Sequence, residues 1–384
     1  MYSPLRHLPS VVWKKRPIQL TFFVTRKCNA RCPFCFYLAG ADQPDRGAAE
    51  LSLAEIRKIS ASLGRMLWIA FSGGEPYLRK DLAEISKIFH DQNRPSVMLY
   101  PTNGLLPETI CKTTERILQN CPDSVIVVKI SIDELGAAHD DMRKTPGGFD
   151  KAVETYRRLA PLARRYANLE LGINTVFCSR NQDEMDRIID FVRDLEGVKT
   201  HTISMIRGDL VHAHYKDVDI GKYRRATGRL EADLLEGTSD IHGFRGGRLK
   251  AAQDIVQRRL IYRTLCEQRR LVPCYSGKLN LVLSESGDVY PCEIQMRSFG
   301  NVRDYGHDVG KLLRSPAARA ALETHGNLSC HCTHECYFIT NILFNPRLYP
   351  TLARECFRLS KGRSAGPAVP GVRSGAVEQK PVDP

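Results

Sequence analysis

Short apolar runs alternate with amphipathic stretches six times between residues 20 and 205, and nothing else in the chain limits its fold as strongly. Residues 20–25 (LTFFVT) read as a buried strand, and 52–63 place Leu53, Ile56, Ile59 and Leu63 at helical spacing. LWIAF at 67–71, SVMLYP at 96–101, SVIVVKISID at 124–133, LELGINTVF at 169–177 and residues 199–205 supply five further strands. Helices intervene, among them one starting near Gly148 and DEMDRIIDFVRDL at 183–195. Such alternation makes the strands pair in parallel with helices covering them. Right-handed crossovers then leave an open doubly wound sheet or a partial barrel, and either gathers its chemistry at the loops after the strand C-termini.

Past residue 208 the pattern stops. Residues 216–236 and 248–270 read as charged helices, 279–293 (LNLVLSESGDVYPCE) as a hairpin, and SCHCTHEC at 329–336 as a Cys/His-dense knot. From Lys361 the composition turns to Gly, Pro, Ser and Ala, and this tail is expected to be disordered. With 42% hydrophobic and 26% charged residues, the 384-residue chain as a whole is of globular type. It holds no run of about 18 apolar residues, and its first segment, MYSPLRHLPSVVWKKRP, lacks the apolar stretch of a signal peptide. A cytoplasmic location is expected. The net charge of +13 is spread over helices such as RRLAPLARRY without interleaved aromatics. That pattern suits solvated helix faces, and no nucleic-acid partner is expected.

Thirteen cysteines in a chain with no secretion signal argue for metal or redox chemistry over disulfides. Cys28, Cys32 and Cys35 share the loop after the first strand. Their C-x3-C-x2-C spacing lacks the two separated pairs of a structural zinc site, but three thiolates suit a [4Fe–4S] cluster with one iron left open. Cys111, Cys121 and Cys178 lie within or beside regular elements and are expected to be core thiols.

The triplet, with Phe34 just before its third cysteine, resembles the signature of the radical S-adenosylmethionine (radical SAM) superfamily. The resemblance covers about residues 18–207 and implies a partial (β/α)6 TIM-type barrel, an α/β fold. It further implies that S-adenosylmethionine binds the open iron, that an electron from the cluster breaks its sulfonium, and that the 5′-deoxyadenosyl radical takes hydrogen from a substrate. In SGGEP (72–76), Gly73, Gly74, Glu75 and Pro76 match the segment that binds the methionine amino group. The glycines would let backbone approach the ligand, and Glu75 would offer an acceptor beside a cation. By the same resemblance Ser131 and Asp133 meet the ribose hydroxyls, Phe34 stacks on adenine, and Asn103 and Asn174 add contacts.

Cys274-x12-Gly287-x4-Cys292 resembles the SPASM/twitch extension, in which radical SAM enzymes carry one or two auxiliary iron–sulfur clusters. By that pattern Cys274, Cys292 and Cys336 hold a first auxiliary cluster, with Cys266 as a fourth thiolate. A second cluster would draw on Cys330, Cys332 and Cys356, either with an open iron or completed by His331 or His334. One auxiliary cluster is expected before two, and a structural zinc knot from the same Cys/His residues is the competing reading. Related dehydrogenating enzymes place an acidic residue where Glu293 stands, as a proton acceptor, a role that would need burial to raise its pKa.

These readings divide the chain into an N-terminal extension (1–17), a core barrel (18–207), a helical linker region (208–265), an auxiliary-cluster module (266–360) and a tail (361–384). The expected activity is reductive cleavage of S-adenosylmethionine and an oxidative modification of a small molecule such as a sugar, lipid or cofactor precursor. Flavodoxin or ferredoxin is the expected electron donor. Residues 1–17 are too few for a peptide-recognition domain, which turns the expectation toward the small molecule and away from a peptide- or protein-modifying maturase. A non-catalytic iron–sulfur or zinc protein that binds RNA is the reading of a different class, and a cofactor cradle of SGGEP and SID would be of no use to it.

Overall fold

The computed structural model describes residues 1–37, 49–208, 210, 212–294, 297–326 and 330–364. Six strands stand where the apolar runs predict them: β1 (Gln19–Thr25), β2 (Trp68–Gly73), β3 (Val97–Thr102), β4 (Val125–Ser131), β5 (Leu169–Phe177) and β6 (Thr200–Met205). Each pairs in parallel with the next. The crossovers carry α1 (Leu53–Ser62), α2 (Leu82–Asn93), α3 (Pro107–Asn120), α4 (Ala137–Arg143), α5 (Gly148–Arg165) and α6 (Met185–Arg193). The short α4 has no apolar periodicity and was not foreseen from the sequence. The start of α1 is fixed locally: Ser52 caps the backbone of Glu55, and the Glu55 carboxylate reaches back to Ser52.

Beyond β6 come α7 (Ile220–Glu236) and α8 (Gly247–Glu267), then the hairpin β7 (Asn280–Leu283) and β8 (Asp288–Tyr290), and the two-residue β9 (Gly300–Asn301). The chain continues through α9 (Val309–Leu313), α10 (Pro316–Gly326), α11 (Glu335–Leu343) and α12 (Tyr349–Ser364). The sheet order is β6-β5-β4-β3-β2-β1-β7-β8-β9, an open mixed sheet. β7 joins β1 in parallel, so the cysteine-rich C-terminal region continues the barrel sheet. α12 runs through Lys361 to Ser364, and the rest of the expected disordered tail lies outside the described residues. Among the described residues no helix is long and apolar enough to cross a membrane.

The strands are buried on both faces, which is why they read as continuous apolar runs. One face packs Phe22, Phe71, Tyr100 and Val128 against Ile56, Phe89, Ile117 and Tyr156 of the covering helices. The other face lines a lumen. Thr21, Ala70, Leu99 and Val127 occupy one register row across β1 to β4, and all four line the same cavity. α7 and α8, which the sequence suggested as a linker, supply the wall opposite the sheet through Tyr223, Leu230, Asp254 and Arg258.

Candidate functional site

The cysteine loop leaves β1 at the lumen's rim and is held by SGGEP. The Gly74 N–H donates to the Thr25 carbonyl at 2.9 Å, and the Glu75 N–H to the Lys27 carbonyl at 2.8 Å. A Cβ on Gly73 would stand 2.3 Å from the Thr25 oxygen, and one on Gly74 2.2 Å from the Lys27 oxygen. The close approach these glycines permit is therefore between two stretches of the protein's own backbone, and it seats the cysteines. The Cys28 sulfur accepts from the Ala30 N–H at 3.4 Å and faces Asn103 Nδ2 at 3.9 Å. Burial raises the Cys28 and Cys32 thiols, the latter to about 11. They are thus neutral until a metal takes them as thiolates.

Glu75 is buried and accepts from Thr102 Oγ1 (2.8 Å), Asn103 N–H (2.8 Å) and Tyr77 N–H (3.3 Å), tying the end of β2 to the end of β3. Burial raises it to about 7 against the pull of those bonds and of Arg143. Pro76 is buried in the first turn behind it. Ser131 and Asn174 face each other in register at the ends of β4 and β5, and Ser204 Oγ donates to Asn174 Oδ1 at 2.9 Å.

Asp133 departs from its expected place at the ribose. It is fully enclosed, with Oδ2 paired to Arg143 (Nε at 2.7 Å, Nη2 at 2.6 Å) and Oδ1 accepting from the Val176 N–H at 2.7 Å. No surface of it is open to a ligand, because it serves as the buried counter-charge of Arg143. That arginine escaped sequence reasoning, since α4 carries no motif. Its guanidinium stands 5.9 Å from the Phe34 ring, and its charge favours the thiolates of Cys28 and Cys32 against burial. Phe34 also packs on Tyr215, with ring centroids 5.9 Å apart, and lines the lumen.

The C-terminal cysteines regroup. The Cys332 thiol is raised by burial and then by Cys292 and Cys274, and Cys274 by burial and by Cys330. The Cys332 thiol thus feels the charges of Cys292 and Cys274, and Cys274 that of Cys330. The Ile294 N–H donates to the Cys292 sulfur (3.3 Å), the His334 N–H to the Cys332 sulfur (3.2 Å) and the Ser276 backbone to Cys274. Ala30 does the same for Cys28, and N–H donors two residues on are suited to sulfur that carries charge in a cluster. Among the described residues no three of His, Cys, Asp and Glu converge on the geometry of one ion.

The expected ligand sets change accordingly. Cys336 lines the barrel lumen. Cys266 is exposed at the C-terminal end of α8, beside Tyr262. Cys356 sits on α12 against Ala251, Ala252 and Ile255, beside Arg248 at the opposite end of α8. Cys330 is bonded to Arg270, just past the C-terminal end of that helix. α8 is 21 residues long, about 30 Å at 1.5 Å per residue, and its length separates the two ends. Cys330, Cys332 and Cys356 therefore do not form a second set.

Between the two cysteine regions the lumen holds a cavity of about 340 Å³. Glu293 lines it, buried, with Oε1 accepting from Thr21 Oγ1 (2.8 Å) and Oε2 paired to His334 Nε2 (2.7 Å). Burial alone would raise Glu293, as its expected role required. His334, Arg207 and Thr21 outweigh burial and hold it as a carboxylate, while Glu293 in turn keeps His334 protonated against burial and Arg207. Arg207 pairs with Glu335 at 2.8 Å and covers the Phe36 ring at 5.6 Å.

Residues 22–192 match the family model of the radical SAM superfamily. The AdoMet-dependent heme synthase of Methanosarcina barkeri is 27% identical over 303 residues, covering 75% of this chain and 80% of its own length. The pre-heme d1 synthase of Dinoroseobacter shibae is 29% identical over 59% of this chain and 51% of itself. The PqqA peptide cyclase of Bradyrhizobium diazoefficiens is 29% identical over 47% and 44%. The chain thus spans about half the length of these last two. Among solved structures, anSMEcpe with bound AdoMet superposes with a TM-score of 0.58 over 91% of this chain and 98% of its own, at 16% identity, a likeness of fold.

Proposed function

From the premise that this chain belongs to the radical SAM superfamily and is an enzyme of that class, we propose that it oxidatively modifies a carboxylate-bearing cofactor precursor of tetrapyrrole type. The observation that carries the reading is that one cavity is lined by both cysteine regions: by Phe34 from the loop after β1 and by Glu293, His334 and Cys336 from the C-terminal region. The residues fit the groups the family implies. Cys28, Cys32 and Cys35 would hold the [4Fe–4S] cluster; Gly73 to Pro76, Asn103, Ser131, Asn174 and Phe34 would border S-adenosylmethionine, with Arg143 as the nearby cation. Cys274, Cys292, Cys330 and Cys332 would hold one auxiliary cluster.

When bound, the cluster and S-adenosylmethionine supply hydrogen-atom abstraction. The chain's own part is enclosure and proton handling. The sheet, α7, α8 and α11 wall the lumen, and Glu293, held as a carboxylate by His334, Arg207 and Thr21, stands on that wall as a proton acceptor weaker than the raised carboxyl the role was expected to need. A flavodoxin or ferredoxin in the cytoplasm would be the reductant.

Support for the substrate class comes from coverage. The heme synthase matches three quarters of this chain, whereas the peptide cyclase matches less than half. The test is anaerobic turnover of reconstituted protein with dithionite, S-adenosylmethionine and iron coproporphyrin III, read by mass spectrometry. A mass change of the porphyrin together with 5′-deoxyadenosine is expected. Cofactor cleavage with the porphyrin unaltered would overturn the substrate class.

A further inference from the structure

Two part-buried cations of the lumen, Lys129 and Arg258, form no ion pair among the described residues, and Asp254 is the carboxylate whose field reaches both. Lys129, on β4, donates to Thr202 Oγ1, and among the described residues it pairs with no carboxylate. Arg258, on α8 across the lumen, donates from Nη2 to the His201 carbonyl at 3.4 Å, while its Nη1 is buried without a partner. It too forms no ion pair among the described residues. His201 Nδ1 next to them is likewise buried and unpartnered. All three residues line the cavity.

The surrounding charges are already balanced. Lys250 pairs with Asp254, and His242 bridges Glu170 (2.7 Å) and Asp254 (3.5 Å). Elsewhere in this molecule enclosed arginines have carboxylates: Arg143 has Asp133, Arg259 has Glu231 and Glu355, and Arg79 has Glu50 and Asp81. Among the described cations that line the lumen, Lys199, Arg207 and Lys250 have carboxylates and Lys129 and Arg258 form no ion pair. An uncompensated buried charge is costly and persists where something else repays it. Burial accordingly pulls Lys129 down to about 8 and lowers Arg258.

We propose that Lys129 and Arg258 form a subsite in the barrel lumen that takes a carboxylate of the substrate, with the ammonium and the free guanidinium N–H gripping one anionic group from opposite walls. The subsite rests on the reading of the lumen as the substrate cavity. It does not require the substrate to be a tetrapyrrole.

The reconstituted holoenzyme is melted with citrate or inorganic phosphate at fixed ionic strength, as wild type and as the Lys129→Met/Arg258→Met double variant. Citrate raises the wild-type melting temperature and leaves the double variant unmoved. The ligand-free double variant melts at or above wild type, because two desolvated charges are gone. If it melts lower, Lys129→Arg and Arg258→Lys, which keep the charges, retain the citrate response. Fluorescence titration with metal-free coproporphyrin III then shows binding about 10- to 100-fold weaker in the double variant, while the tetramethyl ester binds both proteins alike. A citrate response equal in both proteins, absent from both, or replaced by one to phosphate alone would overturn the carboxylate subsite. Citrate discrimination without porphyrin binding by wild type would leave the subsite standing and remove the tetrapyrrole reading.

Discussion

Replacing Gly74 by alanine tests whether the approach of SGGEP to the cysteine loop is what positions the first cluster. The added Cβ would lie 2.2 Å from the Lys27 oxygen, 2.6 Å from its carbonyl carbon and 2.8 Å from the Arg26 oxygen. All three are backbone atoms, so no side-chain rotation can relieve the contact. Opening the shortest to an ordinary 3.4 Å moves the loop by about 1.2 Å, one residue before Cys28. Overpacking of this kind costs about 1–3 kcal/mol. The bonds from Gly74 to Thr25 and from Glu75 to Lys27 stretch as well, at about 0.5–1.5 kcal/mol each. A shift near 1 Å at a reacting centre costs roughly 100-fold in rate. Gly74→Ala should therefore lower both the melting temperature and, by about two orders of magnitude, 5′-deoxyadenosine formation under anaerobic single-turnover conditions. Gly228→Ala is the matched control: it lies inside α7 with nothing within 4 Å of the added carbon. It should stabilise the protein by about 1 kcal/mol and leave cleavage unchanged. If Gly74→Ala cleaves S-adenosylmethionine within twofold of wild type, the loop is not held by this contact and the reasoning fails.

Three further outcomes follow from the packing. In a Cys28/Cys32/Cys35 triple-alanine background, Cys332→Ser should abolish the remaining iron and sulfide, whereas Cys356→Ser should leave them intact; elemental analysis separates the two. Glu293→Gln should stop product formation while 5′-deoxyadenosine still accumulates, and an unchanged product yield would remove Glu293 from the reaction. Asp133→Ala strands Arg143 in the interior and should cost about 3–5 kcal/mol in denaturant unfolding, because the partner left behind is a buried, unpaired charge.

The barrel was legible because its signals are local. A strand buried on both faces is a run of apolar residues, its ends are marked by Gly73-Gly74 and Asn103-Gly104, and the cysteine triplet lies within eight consecutive positions. The observed strands fall within a few residues of the apolar runs, and β5 matches its run at both ends. The roles of single residues were less legible. Asp133 ends β4 as expected, but what it meets is Arg143, ten residues on, and no periodicity announces that pairing. Glu293 has the expected position, and its ionisation is set by His334, forty-one residues away.

What the sequence by itself determined is the alternation of strand and helix, the rim on which SGGEP and the cysteine triplet stand, and the family to which they point. Each of these is a statement about neighbours in the chain. Tertiary structure alone decided that the charges of Cys274 and Cys292 reach Cys332, that Cys356 packs on the far end of α8, and that α7 and α8 wall a lumen in which Lys129 and Arg258 form no ion pair among the described residues. Those outcomes depend on which distant segments pack against each other. Burial and Coulomb energies are set by distance through space, and sequence separation does not record that distance.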